Sequence, residues 1–377
     1  MRADHSLGRG EAEWATTGNG AFPWPISRLL HGVCYEMLQR SASQGFESGF
    51  DQAWSEMELF VDQDVATLRC LVNVLGLTIP VNRVQFSENL WLGTLDEVAT
   101  RPSRSLFSLD PTTSPFGPEL FFQSECSVKQ WIREGEPTPK GDDLRLLVER
   151  SDLAVQCLAL VEPSDPFLLF PVLYESSVTG NLWPQRLSGR SFSIMSRLPR
   201  MVTRLSQPQL SNWVDMFHQV DQIYLTIPNY VKISLRRFHE STTRISLDDR
   251  VIDLGISCEA LLLSDVKDAL AFRLAGRAAL WLGETPGERE EVAKAFKDFY
   301  TLRSKVVHGG PIEPSRIEGA STLTKTVTHM MRTALTRTID WIGEGRPCAK
   351  TLMDWDRAAY RGERLEGIRG RTNPPLA

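Results

Sequence analysis

The chain has 377 residues, 42% of them hydrophobic, and a formal net charge of -5 from 42 Lys+Arg against 47 Asp+Glu. That length predicts two domains, and that apolar share excludes a disordered chain. The acid excess excludes a general-purpose nucleic-acid or membrane binder, which would be basic, but leaves room for a small, local basic site.

Residues 1–20, MRADHSLGRGEAEWATTGNG, read as a flexible leader without the apolar centre of a signal peptide. Helical patterning follows in ISRLLHGVCYEMLQRS (26–41) and again in DVATLRCLVNVLGL (64–77). Short apolar pieces with turn signals come next: NRVQFS, ENLWLGTL and PELFF. DDLRLLVERSDLAVQCLALV (142–161) predicts a helix. PFLLFPVLYESS (166–177) predicts a strand whose prolines favour a sheet edge, and SGRSFSIMSRL (188–198) a second strand. Residues 21–205 are therefore expected to form a mixed α/β domain, which also holds most of the acidity: residues 1–205 carry 18 Lys+Arg against 25 Asp+Glu.

From Gln207 the helical period takes over, with helices predicted at 208–226, 229–241, 247–263, 266–282, 287–308 and 316–343. Ser246, Asp248 and Pro286 suit helix starts, and Gly309 with Gly310 suits a stop. The expected fold class is α+β: the mixed domain, then a helical bundle over 206–345, then an Arg-rich tail over 346–377. Six dispersed cysteines (Cys34, Cys70, Cys126, Cys157, Cys258, Cys348) show no CxxC or Cys/His ligand spacing. That pattern suits a reducing cytoplasm, and neither a metal nor a cofactor is expected. No run approaches the length needed to span a bilayer.

One stretch invites chemistry. In YTLRSKVVHGG (300–310), Arg303 lies eleven residues after Val292, a net turn of about 20°. It is therefore in line with the apolar stripe of Val292, Phe296 and Phe299, where a charge needs a partner. His308 sits about 140° away around the helix, at its last turn. In the 247–263 helix, Val251, Leu254, Cys258, Leu261 and Leu262 form the core stripe. Glu259 lies at its edge, about 80° from Val251, able to meet Arg303 if the helices pack. Asp253 points the other way and reads as solvated. Two readings stand side by side: basic residues that merely favour a helix C-terminus, or half of an active site. Arg236, Arg237, His239 and Glu240 read as a solvated face or as a grip on RNA.

RSKVVH is an R-x4-H match and resembles the hallmark of the HEPN superfamily. The flanks RVIDLGISCEALLL, LAFRLAGRAALWLG and FKDFYTLRSKVVHGG resemble, in order and spacing, three blocks of its ApeA-like branch, over residues 208–345. The resemblance implies a cytoplasmic, metal-independent endoribonuclease with a composite site in a homodimer. Arg303 and His308 match the motif pair and Glu259 an acidic position. Ser304 stands where relatives often carry Asn, Asp or His. Lys305, Arg236 and Arg237 are candidate RNA contacts. The resemblance further implies an antiviral or toxin role, with a protein or phage-derived trigger acting on the N-terminal domain. The alternatives are a non-catalytic HEPN scaffold for a partner or nucleotide, and an RNA-binding module without turnover.

Overall fold

The computed structural model describes residues 11–16, 20–25, 34, 38, 45–62, 65–94, 120–129, 142–162, 167–175, 185–186, 202–265 and 268–345. The predicted 188–198 strand, the 346–377 tail, residues 1–10 and most of the first predicted helix lie outside them. Among the described residues the chain is mostly helical with one larger antiparallel sheet, an α+β composition. No helix among them is long and apolar enough to cross a membrane.

Contacts divide the chain into two compact units. One comprises residues 1–154 and 166–210; the other comprises 155–165 and 211–377. In the first, β1 (Glu11–Thr16) pairs antiparallel with β2 (Gly20–Pro25). Residues 11–16 are thus strand and not the expected leader. After α1 (Phe46–Asp62), which the sequence reading did not single out, come β3 (Val65–Leu75), β4 (Leu77–Thr78), β5 (Arg83–Ser87), β6 (Leu90–Thr94) and β7 (Leu120–Lys129). Then follow α2 (Asp142–Val161), β8 (Phe167–Glu175), β9 (Gln185–Arg186) and β10 (Thr203–Arg204). The six-stranded sheet runs β5-β6-β7-β3-β8-β9, every neighbour antiparallel. The short β4 and β10 pair in parallel.

The helix predicted over 64–77 is instead β3, at the centre of this sheet. It pairs with β7 on one side and β8 on the other. Leu71, Val72, Asn73 and Val74 are all buried, so both faces of the strand are covered. A strand buried on both faces reads as a continuous apolar run and loses the alternation that marks strands. β8 carries Pro171 opposite Val72, and on its other side, among the described residues, Val172 and Leu173 pair with β9. A proline without an N–H is tolerated next to so short a neighbour.

The second unit holds α3 (Gln207–Ile223), α4 (Asn229–Thr243), α5 (Leu247–Leu263), α6 (Leu270–Leu282), α7 (Pro286–Val307) and α8 (Ile317–Gly343), with a 3-10 turn at Pro314–Arg316. α6 starts four residues later than expected, after Ala269 in a left-handed conformation. The apolar faces close on Trp213, Phe217, Phe238, Phe296, Phe299, Met331 and Leu335, all buried. α4 and α5 meet through small residues. Ser234 Oγ donates to the Ser257 carbonyl and Ser257 Oγ to the Ser234 carbonyl, each at 2.8 Å. Trp281 Nε1 donates to the Ala334 carbonyl, tying α6 to α8. Arg277 is 1% exposed. It donates to the Leu262 carbonyl at 2.7 Å and to both Asp265 carboxylate oxygens, so the end of α5 is capped by a paired cation. The C-terminal end of α2 joins this unit, with Arg332 Nε donating to the Ala159 carbonyl at 3.0 Å.

Candidate active site

The 22-residue α7 is defined at both ends by its own sequence. At the start, the Thr285 hydroxyl accepts from the Glu288 N–H while the Glu288 carboxylate accepts from the Thr285 N–H, a reciprocal cap ahead of Pro286. At the end, the Gly310 N–H reaches the Lys305 carbonyl and the Gly309 N–H the Val306 carbonyl. Gly309 has φ 77°, a conformation that glycine takes without steric cost. His308 is the residue between helix and stop. Its N–H donates to the Ser304 carbonyl at 3.1 Å and it is exposed. Its position is therefore set by the backbone.

Val292, Phe296 and Phe299 are buried, as the spacing required. Arg303 continues their line and meets the expected partner: Nη2 donates to Glu259 Oε2 at 2.8 Å, the side chains being 20% and 26% exposed. Arg303 Nε is shut off from solvent without an acceptor, and among the described residues Nη1 has no partner. One corner of the guanidinium is thus anchored and one nitrogen is left to take an anion. Burial raises the Glu259 carboxyl above the ordinary glutamate value, and the Arg303 charge offsets part of that rise. Next to it, burial pushes the Cys258 thiol up, and the Glu259 charge pushes it further. Cys258 is a core residue and no thiolate nucleophile.

Gly255 went unnoticed in the sequence. It lies one turn before Glu259 on α5, and a Cβ built there would fall 2.6 Å from Arg303 Cγ and 3.2 Å from Nε. The arginine stem rests on bare backbone. A glycine inside a helix costs about 1 kcal/mol relative to alanine, so its presence in LGISCEALL was itself a signal.

The remaining candidates divide. Ser304 and Lys305 share the last turns of α7 with His308; Ser304 is half-buried. Lys305 is exposed, with Nζ 3.6 Å from Glu313 Oε1, a loose surface pair. On α4, Arg236 is exposed. Arg237 is engaged by Glu240 and by Asp253, each at 2.8 Å. Asp253 is not solvated as expected: it is 3% exposed and also accepts from Arg244 Nε at 2.6 Å. The stripe argument supposes one buried face, whereas α5 packs against α4, α6, α7 and α8. Nor is His239 on an open face. Its Nε2 is enclosed without a partner, and burial lowers its pKa to about 4.

Compared with known proteins, the chain matches no family model, no curated protein and no solved structure.

Proposed function

We propose that the protein is a metal-independent endoribonuclease of the HEPN kind, its helical domain acting as a homodimer and its N-terminal domain serving as a sensor that modulates a basal activity. The observation that carries this reading is Arg303. It stands in line with an apolar stripe, is held by Glu259 at 2.8 Å, and precedes an exposed histidine by five residues.

RNA supplies its own nucleophile. In this reading an imidazole of His308 takes the proton from a 2′-hydroxyl as that oxygen attacks phosphorus. The 5′-oxygen of the next nucleotide leaves and receives a proton, so the products are a 2′,3′-cyclic phosphate and a 5′-hydroxyl. Histidine titrates near neutrality and suits both transfers. Arg303, anchored through Nη2, presents Nη1 to the phosphate oxygens that gain charge in the transition state. Arg303 and His308 diverge by about 140° on an ideal helix. Two copies of α7 crossing near a two-fold axis would surround one phosphate with both pairs. The biological setting that fits is antiviral defence or toxin-like growth arrest, with RNA as substrate.

Purified protein incubated with total RNA in EDTA tests the proposal. Wild type should cut, leaving cyclic phosphate ends. Arg303→Ala and His308→Ala should each lose at least about 100-fold, the usual scale of proton-transfer catalysis, while still sedimenting as dimers. Cleavage that survives both substitutions, or that requires a divalent metal, overturns the reading. A folded dimer that cuts nothing points to the scaffold alternative.

A further inference from the structure

We infer that Gly255 is a positioning residue for Arg303: its missing side chain is what lets the guanidinium reach Glu259. This rests on the ribonuclease reading for its functional meaning, but the geometry stands apart from it.

Four observations converge. A Cβ at Gly255 would lie 2.6 Å from Arg303 Cγ, 3.2 Å from Nε and 3.4 Å from Cδ. Contacts at 2.6 Å do not occur between carbons in folded proteins, where packed atoms sit about 3.5–4.0 Å apart. The nearest atom is Cγ, close to the helix, and not the mobile tip of the side chain, so the stem cannot swing clear while Nη2 keeps its bond. Gly255 and Glu259 are four residues apart and therefore share one face of α5. One supplies the notch and the other the anchor for the same side chain. The notch also explains the buried, unpartnered Nε: the stem is pressed onto α5 where no acceptor faces it. Nor is Gly255 needed for the helix, because its neighbours are helical throughout 247–263 and alanine is the better helix former.

The inference makes Gly255→Ala an unusual substitution. It should improve α5 and harm the site. In RNA cleavage, the rate at saturating RNA should fall at least tenfold while KM changes by less than about threefold, because the arginine's reach and not the RNA surface is altered. A double-mutant cycle in thermal melts keeps the idea testable whether or not the protein cuts RNA. Gly255→Ala should lower the melting temperature when Arg303 is present. It should leave it unchanged or raise it in the Arg303→Ala background, where no Cγ remains to collide. The Arg303 Nε–H resonance, identified by its loss in Arg303→Lys, should exchange with water at least tenfold faster in Gly255→Ala. If the two substitutions are additive in the melts and the Nε–H stays protected, Gly255 does not position Arg303. If the melts and exchange behave as stated but wild type cuts no RNA, the positioning stands and the ribonuclease reading falls. If the Gly255→Ala chain fails to fold, the double variant decides: its recovery supports the collision, and its failure overturns it.

Discussion

Glu259 pairs with Arg303 in surroundings that disfavour its charge. Burial raises its pKa and Arg303 recovers only part of the rise, so the folded value lies above the unfolded one. By linkage, the stability Glu259 contributes is fully present below the unfolded value and is lost as pH climbs through the folded one. The carboxylate form that grips Arg303 is therefore the costly one, which is the mark of a group kept for what it does. Cleavage should accordingly fall on acidification at a pH above the ordinary glutamate range. Glu259→Gln should cut at least tenfold more slowly, and its fall on acidification should be shallower by one proton, leaving only the limb that the His308 base imposes, in a chain that still folds. A Glu259→Gln protein that cleaves like wild type removes Glu259 from the site. Unfolding of both Glu259→Gln and Arg303→Ala makes the pair structural. At this scale the sequence was legible where one helix sufficed: Arg303 is conspicuous against Val292, Phe296 and Phe299 by rotation alone. Gly255 and Asp253 were not, because each depends on which neighbour covers that side of α5, and spacing within one helix carries no such information.

Elements were legible where their signals are local. The caps of α7 are bonds spanning three to five residues, between Thr285 and Glu288 and between Lys305 and Gly310. β3 was not, because its character as a strand comes from β7 and β8, whose residues lie far along the chain. The local signals also allow a sharp prediction. Gly309 has φ 77°, and an L side chain there costs about 1–2 kcal/mol. Gly309→Ala should lower unfolding stability in urea by about that amount and slow cleavage, since the same turn fixes His308. Gly276 in α6 is the control, with open space around its Cα and no special φ. Gly276→Ala should be neutral or stabilise by about 0.5–1 kcal/mol. Equal effects at the two glycines would mean that the α7 stop is not what holds His308.

Across the whole molecule, composition and the change of period near Gln207 indicated helices following a mixed segment, but not where the chain re-enters a unit. Residues 155–165 belong with the helices of 211–377 although a boundary near 205 was the natural reading. α2 looks like one uninterrupted helix in sequence, and nothing local marks the change of allegiance. Arg332 Nε meets the Ala159 carbonyl there, and Cys157 and Leu158 are fully buried. A fragment of 206–345 should therefore melt well below the intact chain. Adding a synthetic 142–165 peptide should raise its melting temperature in a concentration-dependent way. A fragment indifferent to the peptide would show that the end of α2 is not integral to the unit.

That bond between Arg332 and Ala159 spans 173 positions, whereas Ser234 and Ser257 bond across 23. Closing so long a loop comes late, after the neighbouring helices have paired. During synthesis the apolar end of α2 leaves the ribosome well ahead of α8. At about 5–20 residues per second it waits roughly 10–35 s for its partner. The nascent chain thus carries the Ala159 carbonyl without its Arg332 partner through nearly half of its own production, and the helical unit is closed only when most of the chain has been made.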